Sequence, residues 1–285
     1  MKRVKFYAEA DITVEELLKK NGISNKIIKS AKAKGNINKD NKPLHMKDIV
    51  KKGDIINLIL DDDESDLAPI EMPLDIKYID QDLMIINKDY GISVMSTINL
   101  HEECLINGIN YYLIKNNIPS KVRVINRLDR NTTGLMTVAL NRFSACSLNN
   151  GLKTTLKRKY YAIIKGYLDE KSGQIENKIA KESMMTTRRC VRNDGKDAVT
   201  IYKVIKEANG YSLLDIELLT GRTHQIRVTF ADMLHPLLGD DLYDPDYNGE
   251  ELMLHSYYLE LIHPSTNEKL VLTTDIPDRF LKYIE

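Results

Sequence analysis

Between Val124 and Leu140 the chain places one carboxylate, Asp129, between two arginines, Arg127 and Arg130. It then turns through Asn131-Thr132-Thr133-Gly134 into the largely apolar run Leu135–Leu140. No other stretch constrains the fold as much. A short apolar run entered through a glycine turn reads as a strand against a core, so Asp129 is expected at the edge of a packed sheet, its charge stabilised by neighbouring guanidinium groups. A carboxylate kept ionised in that way has what a nucleophile or an electrostatic stabiliser requires. The same spacing also describes a surface salt-bridge cluster at a strand end, and the residues alone leave both readings open.

With 285 residues there is room for one large domain and a small one, each with a core of its own. Cys104, Cys146 and Cys190 lie far apart and form no metal-like pairs; a sparse, odd count suits a reducing compartment, and a cytoplasmic location is expected. The first sixteen residues are polar and lack the apolar core of a signal peptide, and no uncharged stretch approaches a membrane span. The formal net charge is +0, yet it is unevenly distributed. Residues 1–60 carry 14 Lys and Arg against 7 Asp and Glu, and residues 118–165 carry 10 against the single acid Asp129. Residues 61–75 hold 7 acids and no base, and residues 228–285 hold 12 acids against 3 bases. Basic blocks are the footprint of a phosphate-binding face, although the first block is described equally well as a lysine-rich solvated surface.

The charge pattern and the turn signals divide the chain. Residues 1–60 read as a small α/β unit: Thr13-Val14-Glu15-Glu16 is a capping box opening a helix, Ser24 can cap a second helix carrying Lys26, Lys29, Lys32 and Lys34, and Gly53–Leu60 ends in a strand. Residues 61–73, acidic and then proline-bearing, read as a linker. Residues 74–285 form the large domain. Its strand candidates include Leu83–Lys88, Leu135–Leu140, Tyr160–Lys165, Val199–Ile205, Leu213–Leu218 and Lys269–Leu272, and its helix candidates are His101–Lys115, Arg142–Leu152 and Gln225–Met233. Strands interspersed irregularly with helices predict an α+β fold on a mixed, mainly antiparallel sheet.

Arg127-Leu128-Asp129-Arg130-Asn131-Thr132-Thr133-Gly134-Leu135 resembles the signature of the RluA-type pseudouridine synthases. Four further segments follow suit in order. Asn87-Lys88 with Gly91 resembles the family's opening motif, and Arg158-Lys159-Tyr160-Tyr161-Ala162 its Lys-x-Tyr-x-Ala strand. Gly195-Lys196-Asp197-Ala198-Val199-Thr200 resembles a later strand, and Leu218-Leu219-Thr220-Gly221-Arg222-Thr223-His224-Gln225-Ile226-Arg227 is the most specific match. His235-Pro236, Tyr243 and Leu254-His255 fit the closing region. The resemblance covers about residues 74–275, with the pseudouridine synthase fold implied. The two front helices and small sheet resemble, more loosely, the α-L RNA-binding module of bacterial rRNA-modifying enzymes.

The resemblance implies an enzyme that isomerises uridine in RNA with no cofactor and no metal. Asp129 would be the catalytic carboxylate, Tyr160 the ring stacking on the target uracil, and Arg227 the ion-pair partner of Asp129. Asn126, Arg127, Arg130, Arg222, His224, Gln225, Arg188 and Arg189 would meet RNA near the site, and Lys29 and Lys32 would do so from the front module. Thr223 is expected to cap the helix that carries Arg227. The front module directs the expected partner to large-subunit rRNA, and nothing in the sequence points to an obligate dimer or to a membrane. Departures from the family pattern include Asn126 for His, Thr133 for Ser, Asp89 for Pro and Leu234 for Gly. The rival readings are a non-catalytic RNA-binding or ribosome-assembly factor on the same fold, a tRNA-directed synthase, and a metal-dependent hydrolase built on the His and Asp residues of 224–246, which lack ligand spacing.

Overall fold

A computed structural model describes residues 2–60, 65–95, 103–151 and 156–285. The first part comprises β1 (Lys2–Tyr7), β2 (Ile12–Thr13), α1 (Val14–Lys20), α2 (Asn25–Ala33), β3 (Ile37–Lys39), β4 (Lys42–Pro43), β5 (Ile49–Val50) and β6 (Ile55–Leu60). Local chemistry starts both helices. Thr13 Oγ1 accepts the Glu16 N–H while the Glu16 carboxylate accepts the Thr13 N–H, and Ser24 Oγ accepts the Ile27 N–H. The strands form a four-stranded sheet in the order β1-β6-β3-β4 and a separate pair of β2 with β5. Leu17, Leu18, Ile27 and Ile28 pack on Phe6, Ile56 and Leu58.

The remainder builds β7 (Asp75–Ile79), β8 (Leu83–Lys88), α3 (Leu105–Lys115), β9 (Arg123–Val124), β10 (Thr133–Ala139), α4 (Arg142–Gly151), β11 (Lys157–Lys165), β12 (Ser172–Lys181), β13 (Arg189–Val191), β14 (Lys196–Ala208), β15 (Tyr211–Leu218), α5 (Gln225–Asp232), β16 (Leu254–Ile262), β17 (Lys269–Thr273) and α6 (Asp278–Ile284). Its eleven strands make one sheet in the order β13-β12-β14-β15-β11-β16-β10-β8-β7, with β17 on β16 and β9 on β10. β10 and β16 run parallel, whereas β10 with β8, β11 with β15 and β14 with β15 are antiparallel. The architecture is therefore the expected α+β, mixed and mainly antiparallel. Residues 61–64 of the acidic stretch, His101 and Glu102 of the expected helix start, and Leu152 lie outside the described residues. Residues 65–74 carry no regular element and run along α3, whose Asn107 and Asn110 donate to the carbonyls of Ala68 and Leu67.

β10 is buried along its whole length because it lies between two cores. Met136 and Val138 face one, with α3 and α5; Leu135 and Ala139 face the other, with α4 and β16. Phe143 of α4 reaches into the core of the first part and meets Phe6 edge-on, ring centroids 6.2 Å apart. Beside it Lys2 pairs with the buried Asp82. Burial works against the Asp82 charge, but hydrogen bonds from Lys2, Ser144 and Asn141 prevail and hold its carboxyl down at about 2. Asp80 and His263, bonded to each other at 2.7 Å, complete a polar cluster with Asp82 at this junction. Among the described residues no helix is long and apolar enough to cross a membrane.

Candidate active site

The ends of β10, β11, β15 and β16 converge with the first turn of α5 around a cavity of about 560 Å³. Asp129 lies in the turn entering β10, and the Thr132 N–H closes that turn on the Asp129 carbonyl at 3.1 Å. Gly134 then adopts φ +110°, and a Cβ there would stand 2.3 Å from the Ser256 carbonyl oxygen. Only glycine lets β10 approach β16 this closely, two residues after the turn. Underneath, Lys88 is fully buried and donates to the carbonyls of Asp89, Ile92 and Arg130 at 2.8, 2.9 and 2.8 Å. Burial pushes its ammonium down to about 8, against the opposing charges of Asp129 and Asp89. Three carbonyls from two loops thus converge on one cation, which ties the Asp129 turn to the end of β8.

Arg227 projects from α5 toward Asp129, but its principal anion is another residue. Its Nε and Nη2 donate to the two oxygens of Asp240 at 2.8 and 2.5 Å, and Nη2 also reaches Asp241 at 2.8 Å. Nη1 faces Asp129 Oδ2 at 3.8 Å, an ion-pair distance longer than a hydrogen bond. Burial disfavours the guanidinium charge, yet the hydrogen bonds and charge of Asp240 outweigh it and raise the pKa. Arg227 therefore enters the cavity wall as a held cation, one side clamped by Asp240 and the other turned to Asp129. Tyr243 supports the same assembly: its ring lies 5.4 Å below the Arg227 guanidinium and 5.5 Å from that of Arg188.

The Tyr243 hydroxyl accepts the Arg189 N–H at 2.7 Å and lies 2.9 Å from His224 Nδ1. The other ring nitrogen, Nε2, lies 3.9 Å from Asp129 Oδ2. Burial lowers the His224 pKa despite the Asp129 charge, in keeping with a neutral ring. The expected cap of α5 is corrected here. His224, not Thr223, is the N-cap residue; it is left-handed at φ +56° and makes no side-chain cap bond. Gln225 takes over locally, its Oε1 accepting from Thr220 Oγ1 and the Arg222 N–H.

Tyr160 lines the cavity floor and is 5% exposed. Burial raises the pKa of its phenol, partly offset by the Arg158 charge and a Ser256 hydrogen bond. Strand alternation sends Tyr161 to the other face, where it stacks on Tyr257 at 3.8 Å. Among the other candidates, Arg127 is exposed at the cavity, Arg222 is half-buried there with its Nε donating to the Asp197 carbonyl at 2.9 Å, and Arg130 is exposed with its Nε on the Gly91 carbonyl. Asn126 is buried, its Oδ1 accepting the Thr137 N–H at 2.8 Å. Gln225 is buried as well, its Nε2 donating to the Val199 carbonyl and Thr200 Oγ1. Both amides thus hold the walls in place. Arg188 flanks and Arg189 opens β13, while Lys29 and Lys32 are exposed on α2 and do not line the cavity. No role in this site follows from the sequence for Lys88, Arg158, Asp240 or Tyr243, although Lys88, Arg158 and Tyr243 fall within the motifs quoted above.

The profile of a family described as RNA pseudouridylate synthase matches residues 82–232. The RNA pseudouridine synthase YhcT of Bacillus subtilis (strain 168) is 39% identical over 237 residues, 80% of this chain and 78% of the relative. Ribosomal large subunit pseudouridine synthase D of Pasteurella multocida (strain Pm70) is 32% identical over 250 residues, 82% of this chain and 77% of its own. Among solved structures, human RNA pseudouridylate synthase domain containing 1 superposes with a TM-score of 0.59 at 27% identity, covering 73% of this chain and 84% of that one. With its sheet, its cavity and these likenesses together, the chain belongs to the RNA pseudouridine synthases, isomerases that act on RNA.

Proposed function

We propose that this chain isomerises a uridine in structured large-subunit rRNA, with Asp129 as the catalytic carboxylate. The observation that carries the reading is the grouping of Asp129, Arg227 at 3.8 Å and Tyr160 around one cavity whose lining includes the exposed Arg127 and the half-buried Arg222. In the reaction the N1–C1′ bond of uridine breaks, the uracil turns, and a C5–C1′ bond forms. The proton on C5 leaves and N1 gains one, so atoms and electrons balance without a cofactor. Asp129 meets the charge that develops at the anomeric carbon, Arg227 keeps that carboxylate paired while water is excluded, and the Tyr160 ring carries the freed base. A uridine must leave its stack to reach so enclosed a floor, and Arg127 and Arg222 are placed to hold the phosphates beside it. The name of the Pasteurella relative supports rRNA as the substrate, as do the exposed lysines Lys29 and Lys32 on α2.

The test is tritium release from unmodified large-subunit rRNA carrying 5-tritiated uridine, comparing wild type with Asp129→Asn. Release by wild type and none by the variant is expected, with RNA affinity and thermal stability retained. Release by the variant at the wild-type rate removes Asp129 from the chemistry.

A further inference from the structure

The β12–β13 hairpin ends in Ser183-Met184-Met185-Thr186-Thr187, and its two methionines are 91% and 99% exposed. Adjacent long apolar side chains held fully in water at a loop tip are uncommon unless something covers them. The hairpin is not a loose arm. The Arg189 N–H is bonded to Tyr243, the Arg188 guanidinium lies over the same ring, and Lys181 Nζ donates to the Met184 carbonyl at 2.8 Å. Tyr243 also supports Arg227 and His224, so the base of the hairpin is seated on the framework that holds the cavity.

Between this hairpin and the turn Gly221-Arg222-Thr223 lies a second cleft of about 650 Å³, and those three residues line both spaces. Lys181, Arg189, Arg192, Lys196 and Arg222 line it, against the acids Glu182 and Asp194. A cationic trough opening from the cavity, with an apolar point at its lip, matches a polyanion whose stacked faces are apolar. It does not match an apolar protein surface, which would cover the charges of Lys196 and Arg189; Arg192 is paired with Asp194 at 2.5 Å and Arg222 donates to the Asp197 carbonyl, so bases outnumber acids along the trough.

We infer that this cleft takes the RNA strand flanking the target uridine, and that Met184 and Met185 enter the base stack there as a wedge. The inference rests on the isomerase reading above. Apolar wedges that open a base step usually come from Phe, Leu, Ile, Met or Pro, and the unbranched, polarizable thioether adapts to a base face. Unstacking the neighbouring step lowers the cost of extruding the uridine toward Tyr160, while the trough neutralises the phosphates that the opened strand brings together.

Two measurements test this. The first is peroxide oxidation of Met184 and Met185, followed by mass spectrometry with and without saturating unmodified large-subunit rRNA; it needs no turnover. Strong protection by the RNA is expected, and unchanged oxidation overturns the proposal whether or not the chain isomerises. The second compares tritium release by a Met184→Ser/Met185→Ser variant and a Met184→Leu/Met185→Leu variant, on folded rRNA and on an rRNA fragment heated and held unfolded. The serine variant should lose about tenfold in kcat/KM on folded RNA and match wild type on unfolded RNA, and leucine should restore the rate. Equal rates for the serine variant and wild type on folded RNA overturn the wedge. Protection of both methionines without tritium release from wild type sinks the isomerase reading and leaves the RNA contact standing.

Discussion

Asp240→Asn should damage both stability and turnover, although Asp240 is wholly buried and absent from the cavity lining. Its carboxylate accepts four hydrogen bonds: two from Arg227, at 2.8 and 2.5 Å, and one each from the N–H groups of Leu242 and Tyr243 at 3.0 Å. An asparagine keeps one oxygen and turns an NH₂ toward donors, so at least one charge-assisted bond becomes a donor–donor contact. Breaking a buried ion pair from one side costs about 3–5 kcal/mol. Arg227 retains Asp241 at 2.8 Å and Asp129 at 3.8 Å, which places the cost at the lower end, about 3 kcal/mol, or about 6 °C in Tm for a chain of this size. The released guanidinium also loses the clamp that turns Nη1 toward Asp129, so tritium release should fall by about tenfold. Asp241→Asn is the control: that carboxylate is 42% exposed, and its loss should cost below about 1 kcal/mol. Thermal unfolding and tritium release on the two variants decide the matter. An Asp240→Asn protein melting within about 2 °C of wild type with full activity refutes the clamp.

Burial, with the Arg279 charge nearby, pushes His255 down to about 4 from an ordinary 6.5. The unfolded chain therefore takes up a proton below about pH 6.5 that the folded chain refuses until about pH 4, so stability is intact above 6.5 and declines by about 3 kcal/mol toward pH 4. Urea unfolding across this window should show a shallower decline in His255→Gln, and an identical slope would count against the assignment. Gly134→Ala sets a Cβ 2.3 Å from the Ser256 carbonyl oxygen and should cost about 3 kcal/mol or more, together with turnover, because the strand leaving the Asp129 turn must shift; wild-type thermal unfolding would refute this. Leu234 is 87% exposed with φ +64°, so Leu234→Gly should relieve left-handed strain and gain about 0.5–1 kcal/mol net of glycine's greater unfolded entropy. A lower Tm for that variant would show that the backbone there is not strained.

What the sequence determined by itself is what short-range chemistry decides. The Thr13–Glu16 box and the Ser24 cap start their helices because the partners are three residues apart. The apolar run after Gly134 is a strand because it is short and entered through a glycine turn, too brief for a buried helix, and period two separates Tyr160 from Tyr161. β12 and α6 escaped because they carry little local signal: β12 buries only Ile179, and α6 is a seven-residue helix. The tertiary structure alone decided which anion holds Arg227. Asp240 lies thirteen residues on, beyond the end of α5, and reaches the guanidinium through the fold of the intervening loop. It likewise decided that Lys88 gathers three carbonyls under the Asp129 turn and that Asn126 and Gln225 hold walls. Such partners are chosen by which groups are buried together and must be satisfied. That choice depends on the packing of strands distant in sequence, and it has no signature in the spacing of residues along the chain.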